Sequence, residues 1–541
     1  MMKNKNFHGT KLPNILLIIV DCARSDKWIN NNRIPLTPNL DRLRQESVTF
    51  PTTITEKSVT TPSFVTLLSG LYSIRHNIHQ VWGYKLNEKI PLMTEVLAKQ
   101  GYQTYAEVSG PLINEMGLAR GFHQYEYRAP CDYLHTKWGD FFIERLKKGY
   151  FRPPWFLLLH LWELHTPRQV ASSKNDPSYG RDAYERAVSS LDEQLGRVFR
   201  VAGEETLIIF TGDHGEKTKS EVYQEGTAVE YTKKTLGLEK AKGLALYQIS
   251  SWAGPSFLQQ LYSEFIIPSL HHINLDHEWK RPKFSLLSRI RDRLRIMGLT
   301  PKLSCKDLLS IKSPLKLTEM LKRRGFLDEK IARDKVQRFL ESSNHENLIE
   351  MQTRMLLNSY KKNMEEGHVI HVYDYLVKVP LIMYWPGRLP AGITVNRMIR
   401  LPDVFPTVLD LIGLKTDGQI KLDGHSFKSL IYGAPLKFSP AYLSVSGLLS
   451  ELELRGVRTE KYKYTYGPHN PEMPEELYDL SHDPQERNNI AWNEPQKCRY
   501  LRVLADNISA KCSSYAPEEM KFDLNHKENI ETRLRELGYL D

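Results

Sequence analysis

Three continuous apolar runs, each stopping abruptly at a polar cluster, most constrain what this chain can fold into. They are NILLIIVD, WFLLLHLWELH and ETLIIFTGDHGE, ending at Asp21, His165 and Asp213–His214. A run without polar alternation reads as a strand buried on both faces, the signature of a parallel sheet. Amphipathic helices lie between them. RDAYERAVSSLDEQLGRVFRVAG places Ala187, Leu191, Leu195 and Val198 on one stripe, PNLDRLRQESV carries Leu40 and Leu43 at helical spacing, and TPSFVTLLSG reads as a helix with Pro62 in its first turn. IPLMTEVLAKQGYQTYAEVSG reads as helix, glycine stop and strand. Strands alternating with helices predict an α/β fold, a large mostly parallel mixed sheet between helix layers. In such sheets sites form beyond the carboxyl ends of the strands. Asp21 with Arg24, the segment His160–His165, and Asp213 with His214 all fall there.

The alternation breaks from Lys217 to about Glu366 and resumes at HVIHVYDYLVKVPLIMYWPG. We therefore expect a catalytic-type domain over 12–435, interrupted by a basic helical insertion at about 217–366, and a smaller α+β subdomain over 436–541. The chain's net charge is +10, and residues 281–340 alone hold 17 Lys and Arg against 6 Asp and Glu, a net +11. Within them FSLLSRIRDRLRIMGL sets Phe284, Leu287, Ile290, Leu294 and Met297 on one stripe amid arginines. Core packing, docking on an anionic membrane or polyanion, and an oligomer contact all suit such a segment. Nothing points to a specific nucleic acid. The run Ile15–Val20 is too short for a signal-peptide core, and no segment approaches a membrane span. Five scattered cysteines without paired spacing suit free thiols, so the expected location is cytoplasmic, with a peripheral membrane contact as the variant.

The pieces PNILLIIVDCARSD, TPNLDRL, TTPSFVTLLSGLYSIRHNI, GYQTYAEVSG, ELHTP, TGDHGE, VYDYLVKVPLIMYWPG, DVFPTVLDLIG, LDGHSF and ELYDLSHDPQERNNIA occur in an order that resembles the sulfatases and, more broadly, the alkaline phosphatase superfamily. The resemblance covers both ends of the chain but not the insertion. It implies an alkaline phosphatase-like sheet, a small C-terminal sheet domain and a divalent metal at the strand ends. In the family motif C-x-P-S-R the first residue becomes the formylglycine nucleophile. Aligned on Pro62 and Ser63, that residue here is Thr60, and the arginine position is Phe64. Ser109-Gly110-Pro111 stands where the family carries a Gly-Lys pair that binds sulfate.

Phosphatase and phosphodiesterase branches of the superfamily use a threonine or serine hydroxyl as nucleophile, activated by a divalent cation. The resemblance therefore implies Thr60 as nucleophile and as a metal ligand, with Asp21, Asp213 and His214 as further ligands. Asp21 on its own reads equally as a turn cap. Cys22 stands where the family often has a second aspartate, which together with His214 shifts the expected ion toward zinc or manganese, with calcium or magnesium as alternatives. Cys22 itself reads as a buried bystander rather than a ligand.

His165, and His368 or His371, are candidates for a second ion or for acid–base work; His368 matches the family spacing to Tyr373 better. Arg24 would clamp an anionic oxygen or form a plain salt bridge. Arg75 and His76 are expected to support the Thr60 helix, Ser63 to brace it, and His160 to be a core histidine. The expected function is a metal-dependent hydrolase of an anionic ester, a phosphate mono- or diester, acting through Thr60, with one or two ions. Sulfuric ester hydrolysis, phospho-group transfer and a non-catalytic binding role are the alternatives.

Overall fold

The structure is a computed structural model, and it describes residues 12–29, 34–79, 81, 84–129, 132–218, 367–368, 371–414, 421–437, 439–445, 453–510, 515 and 518–519. All of them belong to one compact unit, Met1–Thr232 with Asn363–Lys521. The basic segment 281–340 and nearly all of the expected insertion lie outside the described residues.

Among the described residues nine strands form the main sheet: β1 (Asn14–Val20), β2 (Val48–Ile54), β4 (Gln103–Val108), β5 (Gln124–Tyr127), β6 (Trp155–Leu161), β7 (Thr206–Gly212), β8 (Lys378–Tyr384), β9 (Ile393–Thr394) and β10 (Ile399–Arg400). Their order is β10-β2-β8-β7-β1-β6-β4-β5, with β9 beside β2. β3 (Tyr84–Lys85) pairs with β15 (Glu518–Glu519). The smaller C-terminal sheet holds β11 (Ala441–Val445), β12 (Leu454–Arg458), β13 (Tyr462–Tyr466) and β14 (Glu476–Asp479), all antiparallel. The helix Pro495–Ala510 closes one face of it through Cys498, Leu501 and Ala505.

β1 lies between β6 and β7, parallel to both, and Ile15 to Val20 are fully buried. This is the environment that an unbroken apolar run requires. The helix Ala183–Val201 buries Ala187, Leu191, Leu195 and Val198, the stripe expected from its spacing, and Asp182 caps it by accepting from the Glu185 N–H.

Register explains why distant segments meet. β1, β6 and β7 are parallel, so Asp21, the residues after Leu161 and Asp213 emerge at one edge. β8 runs antiparallel to β7, with Leu381 opposite Thr211, so the segment entering β8 comes to that same edge. β2 is antiparallel to β8, with Ile54 opposite Lys378, and its exit delivers the helix Thr60–Ser69 there too. That helix is buried along its whole length and ends at Gly70, whose φ of 67° is the left-handed conformation glycine adopts without penalty.

Beside this edge Lys27 Nζ lies 3.1 Å from Glu185 Oε1, with both side chains nearly inaccessible. Burial alone would push Glu185 up, but hydrogen bonds from Arg181 and the charge of Lys27 outweigh it and hold its carboxyl down at about 2. A carboxyl depressed below its ordinary value of about 4.3 adds stability above that pH and loses it as pH falls toward 2. Denaturant midpoints of the native chain and of Glu185→Gln, followed from pH 5 to 2, are expected to differ most at pH 5 and to converge at the acid end. A gap independent of pH would contradict this assignment.

Candidate active site

Thr60 Oγ1 is the centre of the cluster. It lies 3.0 Å from Asp21 Oδ2 and 3.2 Å from His214 Nε2, and all three residues are fully buried. His214 Nδ1 is 2.9 Å from the Gly215 carbonyl, which can only accept, so the proton sits on Nδ1 and Nε2 presents its lone pair to the threonine hydroxyl. Asp213 Oδ1 accepts the His214 backbone N–H at 2.7 Å and the Cys22 N–H at 3.3 Å. Its Oδ2 is buried and has no hydrogen-bond partner among the described residues. Thr60 opens its helix, so the partial positive charge of the helix N-terminus adds to the site.

Both carboxyl groups lie deep in the fold, where the charged form is disfavoured unless it is paired. Burial, then the neighbouring Asp213 charge, pushes Asp21 well above the usual carboxylate range, and burial pushes Asp213 up to about 7. Ligand atoms of Asp21, Asp213 and His214 converge within 4.8 Å of one another, as do those of Cys22, His214 and His368. The orphaned oxygen of Asp213 and this donor set fit a divalent ion.

Histidines surround the cluster. His368 Nδ1 lies 2.8 Å from Glu216 Oε2, and its ring centre is 4.4 Å from that of His214 and 5.5 Å from that of His165. Burial alone would raise Glu216, but His368 and Arg168 bring its carboxyl down to about 2, so it is an ionised acceptor. His165 stacks on Trp162 at 4.1 Å and points Nδ1 at the Thr166 carbonyl, 2.8 Å away. Burial, then His368, lowers it to about 3, which leaves its imidazole neutral near pH 7. His371 packs on Tyr373 and accepts Ser58 Oγ on its backbone carbonyl, and it belongs to neither converging donor group.

The other expected residues are placed as follows. Arg24 makes two hydrogen bonds to Asp26, at 2.9 and 2.7 Å, the salt bridge that its sequence context left open, and also reaches the Glu216 carbonyl at 3.4 Å. His76 Nδ1 accepts the Ile78 N–H, so Nε2 donates to Thr66 Oγ1 at 3.1 Å, on the helix that Thr60 begins. Arg75 pairs with Asp423 at 2.9 Å. Ser63 Oγ donates to the Lys57 carbonyl at 2.8 Å, tying the helix to the loop before it. His160, read as a core histidine, is fully buried, yet its Nε2 is 3.8 Å from Asp21 Oδ2. Glu216 was not singled out from the sequence. Its signal was its place three residues after Asp213 in the same strand-end loop.

A large mixed sheet with a hydroxyl, two carboxylates and an imidazole at the carboxyl ends of its strands defines an alkaline phosphatase-like protein. Known proteins place it more closely. The Sulfatase family model matches residues 13–242, and the model of the N-sulphoglucosamine sulphohydrolase C-terminal region matches residues 369–512. An ulvan-active sulfatase of Formosa agariphila is 30% identical over 169 residues, 26% of this chain and 34% of its own. Arylsulfatase K of Danio rerio is 29% identical over 172 residues, 30% of this chain and 31% of its own. The matched stretch thus spans about a third of the length of these curated relatives. The phosphonate monoester hydrolase of Agrobacterium radiobacter shares the fold at a TM-score of 0.56 and 16% identity, over 93% of this chain and 96% of its own. A 2-O GAG sulfatase does so at 0.54 and 14%, over 96% of each chain. The chain belongs to the sulfatase family.

Proposed function

We propose that this protein is a metal-dependent hydrolase of an anionic phosphoester, a mono- or diester, with Thr60 as its nucleophile. One observation carries the reading: the Thr60 hydroxyl lies between Asp21 Oδ2 and His214 Nε2 at the end of a buried strand, where the family's formylglycine would stand. Asp21, Asp213 and His214, with Thr60 Oγ1, would hold the cation, zinc or manganese rather than calcium or magnesium. Bound there, a divalent ion supplies Lewis acidity toward the hydroxyl and the ester oxygens.

Thr60 Oγ1 gives up its proton toward Asp21 or His214 and attacks phosphorus in line, forming a Thr60 O–P bond as the P–O bond to the leaving alcohol breaks. Water then attacks the phospho-threonine, breaking its Thr60 O–P bond to restore the hydroxyl and releasing phosphate from a monoester or a phosphate monoester from a diester; an acceptor alcohol in place of water would make the reaction a transfer. His368 is anchored through Nδ1–H on Glu216, and His165 through Nδ1–H on the Thr166 carbonyl. Each is thereby held in one tautomer, with Nε2 to accept or pass on the proton of the leaving oxygen or of water; for His368 this holds only while it binds no second ion. Arg24 keeps its guanidinium on Asp26 and acts as a positioning cation rather than a direct clamp. For residues 281–340 the net charge of +11 supports peripheral docking on an anionic surface. Among the described residues no helix is long and apolar enough to cross a membrane.

A second reading, sulfuric ester hydrolysis, is favoured by the curated relatives, which are named as sulfatases. Acid quench during turnover of an aryl phosphate, followed by accurate-mass peptide mapping, tests the first. A phosphoryl group on the Thr60 peptide is expected, and an unmodified peptide under rapid turnover would count against it. Dialysis against a chelator is expected to abolish turnover, with zinc or manganese restoring it. Asp213→Asn is expected to weaken cation binding by more than the ~10–100-fold typical of losing an outer-shell partner. Calorimetric titration reads this directly, and unchanged affinity would remove Asp213 from the ligand set.

A further inference from the structure

Cys22, read from the sequence as a buried bystander, is buried and its thiol makes polar contacts. It follows the strand-end carboxylate and takes a φ of 59°, a conformation that residues with a side chain seldom adopt. Its Sγ is thereby held 2.8 Å from Asp21 Oδ1, 2.9 Å from Glu216 Oε2 and 3.8 Å from His368 Nδ1, and the Glu216–His368 contact of 2.8 Å closes the ring. Cys22 and Glu216 are buried, and His368 is 8% exposed. The ring is built from three segments that the sheet register brings to one edge.

We infer that Cys22, Glu216 and His368 form a second, thiolate-containing cation site beside the one formed by Asp21, Asp213 and His214, suited to a zinc-class ion. Its reasoning rests on the first site being a metal site. His214 also lies within reach of Cys22 and His368. Its Nδ1 proton, however, is committed to the Gly215 carbonyl, so Nε2 has one lone pair and serves only one ion. Glu216 is then the donor that completes the second set. Asp21 faces both groups, with Oδ2 toward Thr60 and Oδ1 toward the thiol.

Donors about 2.0–2.3 Å from a tetrahedral zinc ion lie roughly 3.5 Å apart, so the ring has to open by about half an ångström on two sides. When the ion binds, the Cys22 S–H bond breaks and an S–metal bond forms. The thiol proton leaves to solvent, and the imidazole proton moves from Nδ1 to Nε2. Asp21, Asp213, Glu216 and the Cys22 thiolate are four anionic donors in one buried volume, and Arg168, 3.7 Å from Glu216, offsets only part of that charge, which favours cations there. Thiolate and imidazole together select zinc or cobalt over calcium or magnesium.

The test is titration of the metal-stripped full-length chain with Co(II), followed by absorbance and by metal analysis after desalting. Two equivalents are expected, with a near-ultraviolet sulfur-to-cobalt charge-transfer band. Cys22→Ser is expected to lose that band and one equivalent, and His368→Gln to lose one equivalent, with circular dichroism unchanged. Asp213→Asn is expected to lose one equivalent yet keep the band, which separates failure of the second site from failure of the first. One equivalent without a band in the native chain overturns the inference while leaving the first site intact. A band that persists in Cys22→Ser overturns it as well, and absence of any bound cobalt overturns both sites.

Discussion

Thr60→Ala is expected to lower kcat by about 10⁴-fold or more, because under the proposed function it removes the atom that would bond to phosphorus rather than one that merely improves binding. The fold should be unaffected. Thr60 packs at the start of a buried helix whose remaining contacts are apolar or are braced by Ser63 and His76. Cation binding should weaken only modestly, since Asp21, Asp213 and His214 remain. Thr60→Ser keeps the hydroxyl and is expected to retain activity within about tenfold, despite a less restrained rotamer. Loss of activity in alanine but not serine separates a nucleophile from a packing residue. Equal loss in both would assign Thr60 to helix geometry.

Lys463→Met is expected to cost about 3–5 kcal/mol of stability, the price of leaving buried carboxylates without their cation. Lys463 Nζ is 1% exposed and lies 2.6 Å from Asp374 Oδ1 and 2.7 Å from Glu486 Oε1, while donating to the Val372 carbonyl at 2.8 Å. Arg458 holds the other oxygen of Asp374 at 3.1 Å. Among the described residues Glu486 has no comparable second cation, and burial already pushes it up to about 7. The network ties β12 and β13 of the small sheet to the segment that leads from His371 into β8. Glu486→Gln in the Lys463→Met background is expected to recover part of the loss. Equilibrium denaturation measures both, and a loss below about 1 kcal/mol would mean that water reaches these charges.

Much of this arrangement was legible in the sequence because fully buried strands cannot hide: β1, β6 and β7 stand out as apolar runs, and their polar ends mark the edge where the site forms. Full burial also erased information. A strand covered on both faces has no polar period, so nothing revealed that His160 turns toward Asp21. The contacts of Cys22 were not legible, because its left-handed turn, which aims the thiol at two carboxylates, has no sequence signature. Glu216 stood in view beside Asp213 and His214, but its partner His368 is 152 positions away, joined only by the antiparallel return of β8. Arg24 was the reverse case: Asp26, two residues on, was already the simplest partner.

The most direct measurement is turnover of matched aryl phosphate monoester, phosphate diester and sulfate esters by zinc- or manganese-loaded protein, with Thr60→Ala beside it. The account predicts that a phosphoester is cleaved faster than the sulfate and that the mutation abolishes this cleavage. Preferred sulfate cleavage, or phosphoester cleavage that survives the loss of Thr60, would contradict it.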